Sequence, residues 1–310
     1  MSIVFIFPGQ GEQKVGMGKD IYDAYPDKRY VFDNANEILN ENFKDICFEG
    51  TYDDLVDSRK SGIAVFLVSA LIYEIMKEAS IKPSGYAGYS LGQYSALYAA
   101  GSFPYDETLS LVNFRGKCLK AASMEKETGM MGVIGLPEKI VEEIVQGVGN
   151  AYIANYNSPG NYSISYAKSI KDILFSEFKK ADAMKVVDIP VAGGWHSPFM
   201  KSAADMFRPE LLRQTIIMPN GDFVENFTAK QVTSVEQLKD NLYYHIYGPV
   251  RWYQSVRKLI EMGKTTFVEI GFGNQLSKFI KFTSRKVNVF STGSIREIEQ
   301  TISSLSKELS

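Results

Sequence analysis

The sequence predicts an α/β protein in which a small ferredoxin-like domain interrupts a larger α/β domain. Three patterns lead to this. Apolar strands run into glycine turns and then helices at residues 3–25 and 85–100. Residues 130–189 read as strand, helix, strand, strand, helix, strand, the ferredoxin-like order. Strand patterns then return at 266–270 and 287–290. The expected large domain is 1–124 with 193–310, and the expected insert is 125–192.

The elements follow in chain order. Ile3 to Phe7 is apolar and stops at Pro8-Gly9, which reads as a buried strand and turn. It has no basic n-region and no small-residue cleavage site, so it does not read as a signal peptide. A helix is expected at 16–25, and an apolar, buried one at 63–78. Residues 85–89 read as a strand and 91–100 as a helix. Leu109, Val112, Cys118 and Leu119 keep helical spacing across 107–124. In the insert, 130–136, 151–155, 162–166 and 185–189 read as strands, with helices at 138–145 and 169–182.

The 310 residues are 45% hydrophobic and 23% charged, a globular balance with enough chain for a sizeable core. A net charge of −2 gives no global field for nucleic acid. No apolar stretch reaches membrane-spanning length. Two cysteines, Cys47 and Cys118, lack disulfide or metal spacing. A reduced, cytoplasmic protein without a metal is expected. Only two histidines occur, His196 and His245, so a general base comes from a short list.

Gly88-Tyr89-Ser90-Leu91-Gly92 is a G-x-S-x-G match between a strand and a helix. Such an elbow exposes the serine hydroxyl, and the next amide points at the reacting carbonyl oxygen. The helix N-terminus adds partial positive charge. A glycine-rich turn is the plainer reading of the same five residues. Serine needs a base, and His196 follows the paired glycines Gly193-Gly194. His245, among tyrosines in a helical stretch, reads more like packing. Asp182 and Asp188 fall between serine and histidine, where a triad acid would lie, but read better as surface residues of the insert. Phe7-Pro8-Gly9-Gln10-Gly11 is either a β-turn or a second oxyanion donor. Arg115 is a helix arginine of a kind usually solvated, though arginine grips carboxylates bidentately.

Ser90, His196, Gln10 and Arg115 fall within a set of eight motifs that resemble, in order, those of malonyl-CoA:acyl carrier protein acyltransferases, including the free-standing ones that serve polyketide synthases. They are FPGQG at 7–11, GYSLG at 88–92, FRGK at 114–117, NYNSPG at 155–160, WHSPFM at 195–200, NFTA at 226–229, YGPVRW at 247–252 and FVEIGFG at 267–273. The resemblance covers nearly the whole chain. It implies an α/β-hydrolase-like large domain, Ser90 as nucleophile and His196 as base. It implies Gln10 and Leu91 as oxyanion-hole amides, and Arg115 as the grip on a malonyl carboxylate. The histidine would be oriented by the backbone carbonyl of His245 rather than by an acid. Coenzyme A thioester would be the donor substrate, phosphopantetheine on an acyl carrier protein the acceptor, with no bound cofactor or metal. The pathway would be polyketide or fatty acid biosynthesis.

The chain departs from the family pattern in places. Tyr89 stands where histidine is usual, Gln93 where glutamate is usual, and Trp195 where phenylalanine or serine is common. Ser61-Gly62 replaces a Thr-Gln pair, Asn161 replaces a glutamine, and Gly271-Phe272-Gly273 replaces Gly-Pro-Gly. Tyr89, Gly62 and Trp195 are expected at the acyl pocket, and the resemblance, through Arg115, implies a malonyl or a substituted malonyl unit as the acyl group. The other readings are an acyl hydrolase that clears carriers and a non-catalytic carrier-docking module. Lys278, Lys281, Arg285 and Lys286 form a basic cluster that reads as a solvated face or as a dock for an acidic carrier.

Overall fold

The computed structural model describes residues 2–309. Five strands form a wholly parallel sheet: β1 (Ile3–Phe7), β2 (Gly85–Gly88), β7 (Asp222–Phe223), β8 (Thr266–Glu269) and β9 (Asn288–Ser291). Four more form an antiparallel sheet: β3 (Thr128–Ile134), β4 (Ala151–Ser158), β5 (Asn161–Ala167) and β6 (Lys185–Ile189). The parallel order is β7-β2-β1-β8-β9. β1 is central and buried at every position, as a continuous apolar run must be when helices cover both faces.

The helix Ser58–Glu78 packs under this sheet. Asp57 caps it, its carboxylate accepting the Arg59 and Lys60 amides. The helix Tyr105–Ser123 crosses it closely because Gly116 has no side chain: a Cβ there would lie 2.6 Å from the Arg59 Cα. That seating sets the height of Arg115, one residue earlier.

The antiparallel sheet runs β4-β5-β3-β6. The helices Glu138–Val148 and Lys171–Lys180 cover one face through Val133, Val141, Ile164, Leu174 and Phe178, a core separate from that of the parallel sheet. The opposite face presents Met130, Gly132, Ile134, Val187 and Ile189 to the cavity beside Ser90. Two backbone bonds join the layers, Tyr156 N–H to the Val250 carbonyl and Val250 N–H to the Ala154 carbonyl, each 2.8 Å.

Most expected elements are present with shifted ends. The helix expected from residue 16 begins at Lys19, because Gly16 and Gly18 adopt φ of 87° and 76°. No helix among the described residues is long and apolar enough to cross a membrane.

Candidate active site

The strand-to-helix elbow is built by its glycines. A Cβ on Gly88 would collide with the Gly92 backbone, and one on Gly92 with the Phe7 carbonyl. With both absent, the chain reverses within four residues and forces Ser90 to φ 53°, a left-handed conformation for a residue with a side chain. The helix Gly92–Ala99 starts directly behind it.

His196 also sits at positive φ, 55°. Its Nε2 lies 2.7 Å from Ser90 Oγ, and its Nδ1 lies 2.9 Å from the His245 carbonyl oxygen. A carbonyl only accepts, so Nδ1 carries the proton and Nε2 is the free base facing the serine. The antiparallel sheet holds this loop: Gly194 N–H donates to Thr128 Oγ1 at 2.8 Å, and Ser165 Oγ donates to the Trp195 carbonyl at 2.5 Å. Burial, and next the positive charge of Arg115, pull the His196 imidazole down to about 4.

Arg115 rises from the helix below, with Nη2 donating to Ser90 Oγ at 3.4 Å. It is 3% exposed, and its guanidinium lies 5.8 Å from the Tyr94 ring centre. Burial lowers its pKa, and no carboxylate is among the groups acting on it.

Gln10 follows β1 in a loop pinned through its side chain, which donates to the Ser58 carbonyl at 3.0 Å and to Ser61 Oγ at 2.5 Å. Among the described residues the backbone amides of Gln10 and Leu91 are bonded to no protein acceptor. The Ser90 amide is taken by Asn226 Oδ1 at 2.8 Å.

A cavity of about 470 Å³ opens over Ser90 and His196, walled by Tyr89, Trp195, Gln10 and Phe279 among others. The Tyr89 hydroxyl donates to Asn157 Oδ1 at 2.6 Å, and Asn157 Nδ2 donates to Asn161 and Ser163 at 3.1 and 3.3 Å. A polar rail thus crosses from the elbow to the antiparallel sheet. Gly62 corrects an expectation. It does not line the cavity; an added Cβ there would touch only Leu91 at 3.8 Å and Gln10 at 4.0 Å. One residue is about 100° of helix, so Ser61 faces the cavity and Gly62 backs the two amide-bearing residues. Asp188 lies away from His196 and pairs with Lys171 at 2.7 Å.

Two acids cap the helix Gln275–Thr283. Glu12 accepts the Asn274 and Gln275 amides at 3.0 and 2.7 Å. Glu269 accepts those of Leu276 and Ser277 at 3.1 and 2.8 Å. Burial pushes the Glu269 carboxyl up to about 7 despite these bonds. Sequence reading also gave no role to Asn226 or to the side chains of Gln93 and His245. NFTA and the Gln93 departure were the only signals.

The chain belongs to the acyl transferase family, whose domain description, "Acyl transferase domain", matches residues 4–301. It is 34% identical to the malonyl CoA-acyl carrier protein transacylase of Bacillus subtilis strain 168, over 99% of this chain and 98% of that protein. It is 33% identical to the polyketide biosynthesis malonyl CoA-acyl carrier protein transacylase PksC of the same organism, over 90% and 96% of the two chains. A solved structure of a type II polyketide synthase acyl-carrier protein in complex with its malonyl-transacylase superposes with a TM-score of 0.95 at 27% identity, covering 98% of this chain and 100% of that one.

Proposed function

We propose that this protein transfers a malonyl-type acyl group from coenzyme A to the phosphopantetheine thiol of an acyl carrier protein, through an acyl-serine on Ser90. The observation that carries the reading is the convergence on one serine hydroxyl of a neutral imidazole and a guanidinium that has no carboxylate partner among the described residues.

His196 Nε2 takes the Ser90 proton as Oγ attacks the thioester carbonyl. The carbonyl electrons move onto oxygen, and the amides of Gln10 and Leu91 donate to it. Collapse breaks the C–S bond, and the leaving sulfur takes the proton from His196. The carrier thiol then gives its proton to His196, attacks the acyl-serine and releases Ser90 by the same steps in reverse. The His245 carbonyl holds the imidazole throughout. Arg115 is the counter-charge for the free carboxylate of the acyl group. No metal or bound cofactor takes part.

The large unit, 1–124 with 193–310, has the strand–elbow–helix of an α/β-hydrolase-like fold, and 125–192 is its ferredoxin-like insert. Buried, unpaired Cys47 and Cys118 fit a reducing, cytoplasmic setting. Tyr89 and Trp195 shape the acyl pocket and set whether malonyl or a substituted malonyl unit is taken. A hydrolase clearing simple acyl groups has no use for a buried, unpaired Arg115.

The test is intact mass spectrometry after exposure to acyl-CoA donors. Malonyl-CoA adds one malonyl to the wild type and none to Ser90→Ala. In Arg115→Ala malonyl labelling falls by roughly 10- to 100-fold while acetyl labelling persists, as loss of a charge-assisted pair predicts. Equal malonyl labelling in that variant overturns the assignment.

A further inference from the structure

Five residues of the site close a ring of hydrogen bonds. Ser90 Oγ meets His196 Nε2 at 2.7 Å, and His196 Nδ1 meets the His245 carbonyl at 2.9 Å. The His245 ring continues from its own Nδ1 to Gln93 Nε2 at 3.1 Å. Gln93 Oε1 accepts the Asn226 amide at 2.9 Å, and Asn226 Oδ1 accepts the Ser90 amide at 2.8 Å. Asn226 is locked in turn, with Nδ2 donating to the Gly88 carbonyl at 2.8 Å. Gln93, Asn226 and His245 are all buried.

Backbone groups fix the direction of every bond in this ring. The Asn226 N–H can only donate, so the Gln93 atom facing it is the oxygen. The other end of the Gln93 amide is therefore an NH₂ that donates to His245. His245 Nδ1 must accept, so the ring is neutral and carries its proton on Nε2. The two imidazoles lie with ring centres 4.7 Å apart. The titratable groups acting on His245 are His196 and Arg115, both cationic when charged, and no carboxylate is among them.

We infer that Gln93 and His245 are a matched positioning pair: the Gln93 amide locks His245 as a neutral ring beside the base, so His196 becomes imidazolium with no second imidazolium against it. The inference rests on the Ser90–His196 reading above. It explains why a histidine is tolerated at the carbonyl that orients the base, and why the residue behind the elbow is an amide rather than an acid. A carboxylate at 93 accepts the Asn226 amide equally well. Its other oxygen then faces His245 Nδ1 and favours a proton there.

The pair is tested first without any substitution. The chain has two histidines, so ¹⁵N spectra of histidine-labelled protein resolve both. The expected result at pH 7 is His245 neutral with its proton on Nε2, and His196 neutral with its proton on Nδ1. A His245 that is protonated, or carries its proton on Nδ1, overturns the inference.

Gln93→Glu is the second arm. It is expected to lower the rate of acyl-serine formation by about tenfold or more near neutral pH, with recovery as pH rises, as a new positive charge beside the base predicts. KM for malonyl-CoA should change little. Adding His245→Gln, whose amide donates to the introduced carboxylate and whose carbonyl still meets His196, should restore most of the rate. A Gln93→Glu variant with the wild-type rate and pH profile overturns the inference. So does a double variant as slow as the single one, which marks a packing role. Failure of the wild type to label at Ser90 is a separate result and sinks only the underlying reading.

Discussion

Arg115 and His196 meet at one oxygen, the guanidinium 3.4 Å and the imidazole 2.7 Å from Ser90 Oγ. The guanidinium is one of the causes that lower the imidazole. On the proposed reading, the substrate's carboxylate is the counter-ion of Arg115, and its arrival removes one of the causes that lower His196.

The first prediction is a pH profile that differs between half-reactions. The base works only when deprotonated, and in the free enzyme it titrates at about 4. The kcat/KM for malonyl-CoA, which reports the free enzyme, should stay level down the acid range and fall only near that pH. In the malonyl-enzyme the Arg115 charge is neutralised, which removes one lowering cause, so the acid limb of transfer to the carrier shifts upward. Rapid-quench rates of the two half-reactions across pH 3.5–8 check this. Two limbs at the ordinary histidine value contradict it.

The second concerns the carrier. Lys278, Lys281, Arg285 and Lys286 are exposed on and just after the helix whose Gln275 and Phe279 line the cavity. That helix contains no acidic residue. Lys281→Glu with Arg285→Glu should raise KM for the carrier by roughly tenfold at low ionic strength, less at high salt, and leave malonyl-CoA labelling of Ser90 alone. A carrier KM insensitive to both changes moves the docking face elsewhere.

The third is a stability effect at Glu269. Its two oxygens take separate backbone amides. Glutamine offers one oxygen and sets an NH₂ against the other N–H. Glu269→Gln should cost about 1–3 kcal/mol. The native carboxyl is raised to about 7. Its contribution is full below the unfolded value and is lost as pH rises through 7, so the gap in Tm narrows from pH 5 to pH 8. Identical melts at both pH values contradict the capping role.

The fourth concerns Tyr89. Its hydroxyl, held neutral by burial, is bonded to Asn157 68 residues away. Tyr89→Phe keeps the ring but frees Asn157. It should cost about 1–2 kcal/mol and loosen selectivity between malonyl-CoA and larger malonyl donors. Competition labelling followed by mass spectrometry reads the second effect, and unchanged donor ratios argue that the rail is only structural.

Elements were legible in the sequence where local chemistry decides them. β1 and β2 are apolar runs ended by glycine, and the β-α-β-β-α-β order of 128–189 follows from alternation. β7 was not legible, since two residues at a sheet edge carry no pattern and only pairing with β2 defines them. Ser90 and His196 stood out through a turn motif and the scarcity of histidine. Gly62, expected at the pocket from its departure from the family pattern, turns away because a motif does not carry helix phase. Gln93 and Asn226 were marked by motifs, but their pairing was not legible, since their bond spans 133 positions. The helix Gly92–Ala99 and the loop after β7 had to be assembled before their meeting was visible.

Ser90 and His196 share one further property: each bends the backbone to positive φ while carrying a side chain, at roughly 1 kcal/mol or more apiece. Glycine at either position would relax the chain. Folding and the proposed chemistry therefore pull these two positions in opposite directions, so Ser90→Gly and His196→Gly should each gain stability while removing the side chain on which the proposed transfer depends.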